Sequence, residues 1–289
     1  MPRSKRSSSW FKHLKKRRGS SIIRQTIRMS RYHRQPFHKL LSRIFETLEE
    51  YDANFTFPLV AHIAKIHQKK KNLDILTSSP YEIAIHGYKH IRYEFLTTEQ
   101  MKQELQIATE TFKELKIPYK GFRAPYNNYS EDTKRLLEEF DFEWDIGIGY
   151  RPEYQETFQF FNHQLDDGKK TTYACVPLNK LSDDYMIEQL KMNADQMATA
   201  LIEQLEKAKE INGVVMFDLH PIRLGRKEYI SSLKLLLEHG QKINAWFPSV
   251  TEAIDYWKKH KKWKDNAPVC CLLTGDIDNF TFWDYLRRF

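Results

Sequence analysis

Acidic side chains are missing from the first 45 positions of this 289-residue chain, and residues 1–37 carry twelve lysines and arginines. The other 252 residues hold 34 basic side chains against 38 acidic ones, a net of −4. The formal charge of +8 and the pI of about 9.1 therefore belong to the N-terminal segment, and the body is mildly acidic. No uninterrupted apolar run approaches the ~18 residues of a membrane span. Residues 1–20 also lack the apolar core and small-residue cleavage site of a secretory signal, which excludes that role for them. Cysteine is scarce: Cys175, Cys270 and Cys271 are too few for a disulfide framework, and neighbours in a strand point to opposite faces. Free thiols serving as small apolar residues fit a reducing compartment, so a cytoplasmic location is expected. There is no internal repeat, and no change of composition follows residue 37. The expected organisation is a basic, flexible arm over 1–37 and a single domain over 38–289. The arm suits contact with an anionic surface such as lipid or phosphate. A solvated tail is the plainer reading, and no specific nucleic-acid partner is expected.

Composition in the body is that of a globular protein, with 41% hydrophobic and 29% charged residues over the whole chain. In residues 37–51 the spacing of Leu40, Leu41, Ile44, Phe45 and Leu48 gives a helix one apolar face. Residues 53–60 form an apolar, aromatic run of strand length, 69–71 a charged turn, and 82–85 a second strand. Thr97 caps a helix through Leu115, which Ile117-Pro118 ends. A third strand closes over 121–126, Ser130 caps a helix over 131–140, and 142–148 supply a fourth strand. Past the less regular stretch 150–180, Asn193 or Asp195 starts a helix through Lys209, and 213–220 is a continuous apolar strand. A helix over 229–239 precedes a short strand at 244–247. Ser249 and Thr251 open a helix to Lys262, and 268–274 is a last apolar strand. Strands that are apolar throughout and alternate with helices predict parallel strands buried on both faces, an α/β barrel or doubly wound sheet.

Reactive groups in such folds gather at the carboxyl ends of the strands. Here those ends carry His86 and His90, then Arg123 with Pro125 and Tyr126, then His220, and finally Asp276 and Asp278. His86 and His90 stand four apart, so a helical turn after the strand would bring both rings to one face, as one metal ion requires. Three histidines, an arginine and two carboxylates at strand ends exceed what chance placement of polar residues gives.

His-Gly-Tyr-Lys-His (86–90), Phe-Arg-Ala-Pro-Tyr (122–126) and Leu-His-Pro (219–221), in this order and spacing, resemble the second, third and fifth motifs of the polysaccharide deacetylases, the NodB-homology or carbohydrate esterase family 4 enzymes. Residues 53–60 are similar to that family's second strand. The Val176-Pro177 and Ser182-Asp-Asp-Tyr185 segments resemble a stretch found in some members, and 246–254 its closing strand and helix. The resemblance spans 38–262 and implies an irregular (β/α) barrel of about seven strands. One motif is out of place. The family's first, a strand ending in two aspartates, should precede residue 38, where there is no acid. Residues 269–278, an apolar strand ending in Asp276 and Asp278, look like that motif moved to the C-terminus. In a closed or nearly closed barrel the first and last strands are neighbours, so the added strand can fill the first slot, and the resemblance implies a circularly permuted barrel. Asp166-Asp167-Gly168 imitates the missing motif but reads as a hairpin turn.

The resemblance implies that His86, His90 and Asp278 bind a divalent ion, zinc by its mixed nitrogen and oxygen donors. It makes Asp276 the base that deprotonates the attacking water, Arg123 the residue that holds this base, and the Tyr126 backbone N–H a donor to the oxyanion. His220 would protonate the leaving amine. The one-residue gap between the aspartates leaves the exchanged assignment of base and ligand open. The expected reaction is N-deacetylation of an amino sugar or glycan, or hydrolysis of a small cyclic imide, since the motifs specify C–N cleavage and not its carrier. A catalytically inactive glycan-binding or scaffold protein is the competing reading, expected if Asp276 and Asp278 lie outside the site. A binder of nucleic acid or membrane acting through residues 1–37 is another. Trp144, Tyr150 and Trp246 are candidates for stacking a sugar ring, although aromatics at strand ends are more often core. Nothing in the sequence sets an oligomeric state.

Overall fold

The protein is described by a computed structural model over residues 22–128, 130–146 and 157–287, with side chains from Thr26 onward. Residues 1–21 of the basic arm and Tyr150 lie outside the described residues. The first half of the chain runs α1 (Ile22–Tyr32), α2 (Phe37–Glu50), β1 (Thr56–Leu59), α3 (Ala61–His67), α4 (Lys71–Thr77), β2 (Glu82–Ile85), α5 (Thr98–Glu114), β3 (Gly121–Arg123), α6 (Glu131–Glu139) and β4 (Trp144–Ile146). Then come β5 (Ala174–Cys175), β6 (Leu178–Ser182), α7 (Ala194–Glu210), β7 (Val214–Asp218), α8 (Pro221–Leu224), α9 (Ile230–Lys242), α10 (Val250–His260), β8 (Cys270–Thr274) and α11 (Phe282–Arg287).

All eight strands are parallel and stand in the order β5-β4-β3-β2-β1-β8-β7-β6. The sheet curls on itself. Ala84 of β2, Trp144 of β4, Met216 of β7 and Leu272 of β8 come from strands that are not all neighbours, yet they share one buried cluster inside the curl. Alternate residues Phe57, Ile83, Phe217, Cys271 and Leu273 belong to a second cluster between sheet and helices. This two-sided burial explains why the strands read as unbroken apolar runs. Each fully buried Val or Leu contributes about 1.5–3 kcal/mol relative to exposure. The α/β barrel-like fold expected from the sequence is what forms. Among the described residues it has eight strands, because two short ones, β5 and β6, are added at the end of the irregular stretch and 244–247 forms only a bridge.

Helix ends follow local chemistry. Thr97 and Asn193 cap α5 and α7, each in a reciprocal box with a glutamine three residues on. All three cysteines are buried and free. The Asp166-Asp167-Gly168 stretch is the expected hairpin turn, with Gln164 and Lys170 bridged across it and Gly168 at φ +81°.

Four expectations fail. The chain after β2 does not enter a helix: Gly87 turns it at φ +69°, and 86–92 is irregular. Residues 244–247 provide one bridge, Trp246 to Cys270, in place of a strand. Trp144 starts β4, at the opposite end from the strand's carboxyl terminus, and is fully buried with its indole N–H on Thr251 Oγ1 at 2.8 Å, so it stacks no sugar. Residues 22–32, assigned to the arm, form α1, whose Tyr32 bonds Glu188 and whose successor His33 meets Asn279. Among the described residues, no helix is long and apolar enough to cross a membrane.

Candidate active site

β8 is the last strand in sequence and a central one in space. It pairs over Cys270–Thr274 with β7, and on its other side Thr56 of β1 is in register with Thr274. Past Thr274 the backbone keeps following β1: Ile277 N–H donates to the Pro58 carbonyl at 2.8 Å, and Val60 N–H to the Ile277 carbonyl at 3.3 Å. Ile277 points into the core between sheet and helices. Strand alternation then turns Asp276 and Asp278 to the opposite side, toward the carboxyl ends of the neighbouring strands.

Both histidines meet these carboxylates. His86 follows β2 and is fully buried, with Nε2 3.2 Å from Asp276 Oδ2 and 3.5 Å from Asp278 Oδ1. His90 Nε2 lies 3.1 Å from Asp278 Oδ1. The rings come together, centroids 4.9 Å apart, by a loop and not a helix. That loop is fastened by the first turn of α3: Ala61 and His62 N–H donate to the carbonyls of Gly87 and Tyr88, each at 3.0 Å. His90 itself is left-handed, at φ +53°, a conformation that is uncommon outside glycine and worth reading as functional strain.

The His86 ring is oriented by its other nitrogen. Nδ1 lies 2.8 Å from the Arg123 carbonyl, which only accepts, so Nδ1 carries the proton and donates. Nε2 faces two carboxylates and is buried without a hydrogen bond. A cation placed between these groups would be shared by all of them. Ligand atoms of His86, His90 and Asp278 all fall within 4.8 Å of one another. Two atoms each about 2.0–2.1 Å from a tetrahedral zinc sit about 3.3 Å apart, close to the separations seen. The donor set fits a divalent ion, and the Nδ1–H bond to a backbone carbonyl is the usual support of a ligating histidine.

Arg123 anchors the other half of the site. Fully buried, it holds both oxygens of Asp218 through Nη1 and Nη2 at 3.1 and 2.7 Å, and Asn127 Oδ1 through Nε at 2.8 Å. Its Nη1 also stands 3.1 Å from Asp276 Oδ1. Burial pushes the Asp276 carboxyl above its ordinary range, and the Arg123 and His86 charges oppose that rise. His220 follows β7, with Nδ1 2.7 Å from Asp183 Oδ1 and Nε2 3.9 Å from Asp276 Oδ2. Burial disfavours its charge, but Asp218 and Asp183 outweigh that and pull the imidazolium up to about 10. Tyr126 has φ +63° and lays its ring beside His90, 4.4 Å between centroids, with the Arg92 guanidinium 5.0 Å above it.

The seven residues singled out in the sequence thus form one connected neighbourhood, running from Tyr126 and His90 through Asp278 and His86 to Asp276, Arg123 and His220. Asp183, Asp218, Asn127 and Thr274, whose Oγ1 accepts from Arg123 Nη1 at 3.4 Å, join them without having been assigned a role. Asp218 had one available signal, its place two residues before His220, where side chains at i and i+2 of an extended chain share a face. The Asp183–Tyr185 stretch was visible as a resemblance only.

Residues 33–144 match the family model described as polysaccharide deacetylase. Among solved structures, the chain is similar to a Mycobacterium smegmatis protein assigned as a polysaccharide deacetylase, at 19% identity and a TM-score of 0.65, with 78% of each chain covered. It is also similar to the allantoinase PuuE, at 19% identity and a TM-score of 0.64, over 78% of this chain and 74% of that one. A Pseudomonas aeruginosa PAO1 protein, likewise assigned as a polysaccharide deacetylase, gives 17% identity and a TM-score of 0.65 over the same shares. No curated protein sequence matches the chain. At these identities the structural likeness establishes the fold, and the likeness to the family rests on the matched segment. That segment contains the motifs at 86–90 and 122–126, whereas 219–221 and 269–278 lie beyond it.

Proposed function

We propose that the protein is a metal-dependent hydrolase that removes an N-acetyl group from an amino sugar or glycan, a reading supported by the match of residues 33–144 to the polysaccharide deacetylase model. The observation that carries this is the meeting of Asp276 and Asp278, from the chain's last strand, with His86 and His90 at 3.1–3.5 Å. On this reading β8 occupies the slot of the family's first strand, and the barrel is circularly permuted. His86, His90 and Asp278 hold the ion, for which zinc suits the donors. When bound, it polarises the amide carbonyl and makes water more acidic.

The chain's own residues do the rest. Asp276, fixed through Oδ1 by Arg123, has Oδ2 free of that contact and takes a proton from the attacking water. The Arg123 charge favours the ionised form of that carboxylate and opposes the effect of its burial. His220, protonated and steadied at Nδ1 by Asp183, delivers a proton from Nε2 to the departing amine. The Tyr126 backbone N–H serves the oxyanion. The same set would open a small cyclic amide, and the fold shared with the allantoinase PuuE makes that the second reading. Buried free thiols favour a reducing, cytoplasmic setting.

Metal analysis of the wild type beside Asp278→Ala and Asp276→Ala tests the site. One zinc per chain is expected in the wild type and in Asp276→Ala, and none in Asp278→Ala. Acetate release from N-acetylated oligosaccharides should fall roughly a thousand-fold in Asp276→Ala. Equal zinc in all three proteins would remove Asp278 from the site. Zinc binding with no turnover of sugar or cyclic amides would leave an inactive binding protein.

A further inference from the structure

A line of paired side chains leads from His220 to the N-terminal helix. Asp183 Oδ1, which accepts from His220 Nδ1, also lies 3.8 Å from Arg223 Nη1. Arg223 donates to Glu188 Oε1 through Nη2 at 2.9 Å and through Nε at 3.2 Å. Glu188 is held a second time from α1: the Tyr32 hydroxyl donates to Oε1 at 3.0 Å, and Arg28 pairs with Oε2. The Arg223 guanidinium sits 5.2 Å from the centroid of the Tyr32 ring. Asp183 is fully buried and its Oδ2 makes no hydrogen bond, so among the described residues His220 and Arg223, both at Oδ1, orient the carboxylate. Glu188 stands on a π-helical turn, Tyr185–Gln189, a feature that is frequent at functional sites.

We propose that Arg223, clamped by Glu188 and by Tyr32 of α1, is a positioning residue for the general acid: it sets Asp183 so that His220 presents Nε2 to the reaction centre. The proposal rests on the hydrolase reading above and extends it, because Tyr32 lies before the segment that matches the family. The charged groups facing His220 are Asp183 and Asp184 at the end of β6, Asp218 from β7, Asp276 after β8 and Arg223 of α8, with Arg123 behind Asp218. Among them Arg223 opposes the imidazolium, and Glu188 counters Arg223.

Arg223→Gln and Glu188→Gln break the same ion pair, and this gives a test that simple loosening of α1 would not pass. Each variant, loaded with zinc, should keep one ion per chain, because neither residue touches His86, His90 or Asp278. kcat should fall about tenfold with KM within about twofold, the pattern of an interaction made in the transition state. The alkaline limb of kcat should move in opposite directions. It rises in Arg223→Gln, where a cation opposing the imidazolium is gone, and drops in Glu188→Gln, where that cation is no longer countered. Shifts of about half a pH unit are expected. Titration of the His220 ring by NMR in the zinc-loaded proteins reads the same shifts without substrate. Absent turnover would therefore count against the hydrolase reading, and the ring titration would still decide this one. Movement of both variants in the same direction, or of neither, would reduce Arg223 to a fastener for α1.

Discussion

Gly275 stands between the strand that delivers the site and the first carboxylate that serves it. A Cβ there would come 2.1 Å from the Leu219 carbonyl oxygen and 2.7 Å from its carbon. These are backbone atoms of the chain leaving β7, tied by the Leu219 N–H to the Thr274 carbonyl at 2.6 Å, and they have no rotamer to escape through. Gly275→Ala must therefore push the two exits apart and carry Asp276 away from Arg123 and His86. We expect a loss of roughly 2 kcal/mol in the metal-free protein, read in a thermal melt. Chelator competition should show zinc affinity reduced at least tenfold. Unchanged affinity would mean that the strand ends accommodate one another without moving the carboxylates. Steric need of this kind leaves a trace in sequence only as a glycine beside an acid, and by itself that pattern reads as a turn.

Elements built from apolar periodicity were legible, and those built from contacts were not. β7 and β8 announce themselves because both faces of a central parallel strand are buried. The caps of α5 and α7 are local chemistry and sit where Thr97 and Asn193 put them. By contrast β5 and β6 have two and five residues and take their form from β4 and β7 beside them. The His86–His90 loop takes its shape from the α3 amides it accepts, which no spacing rule contains. Asp183 and Asp218 became site residues only when the curled sheet set β6, β7 and β8 side by side. The irregular segment before β5 is held in a comparable way. His163 Nε2 lies 3.3 Å from both oxygens of Asp145 on β4, and both residues are buried. His163→Ala leaves the Asp145 charge buried without this partner, so a loss of about 3–5 kcal/mol is expected. Replacing both residues by apolar ones should recover most of it in a double-mutant cycle. Zinc content should stay at the wild-type value in both, since this pair is separate from His86, His90 and Asp278. A fall in zinc, or a loss below about 1 kcal/mol, would show that the hairpin and the site are not organised in this way.

At the scale of the whole molecule, the order of strands in space differs from their order in sequence at one place. β8, the last of the described strands in sequence, inserts between β1 and β7, so a chain lacking residues 267–289 would hold two half-sheets, β5 to β1 and β7 with β6, each with an exposed inner edge. Such edges invite aggregation, and that truncated chain is expected to give no cooperative melt. If β8 truly fills a first-strand slot, its position in the sequence is a matter of connection and not of structure. Phe280 packs edge-on against Phe37 with centroids 5.1 Å apart, and His33 Nε2 lies 2.5 Å from Asn279 Oδ1, so the C-terminal segment already runs beside the start of α2. A rearranged chain carrying 267–287 first, then a Gly/Ser linker of about ten residues spanning roughly 17 Å, then 33–266, keeps every sheet pairing. We expect it to melt cooperatively and to bind one zinc through the same three ligands, with Asp278→Ala abolishing binding as in the natural order. A rearranged chain that folds without zinc would mean that the two carboxylates owe their place to connection through α10, and the permuted-barrel reading would fall with it.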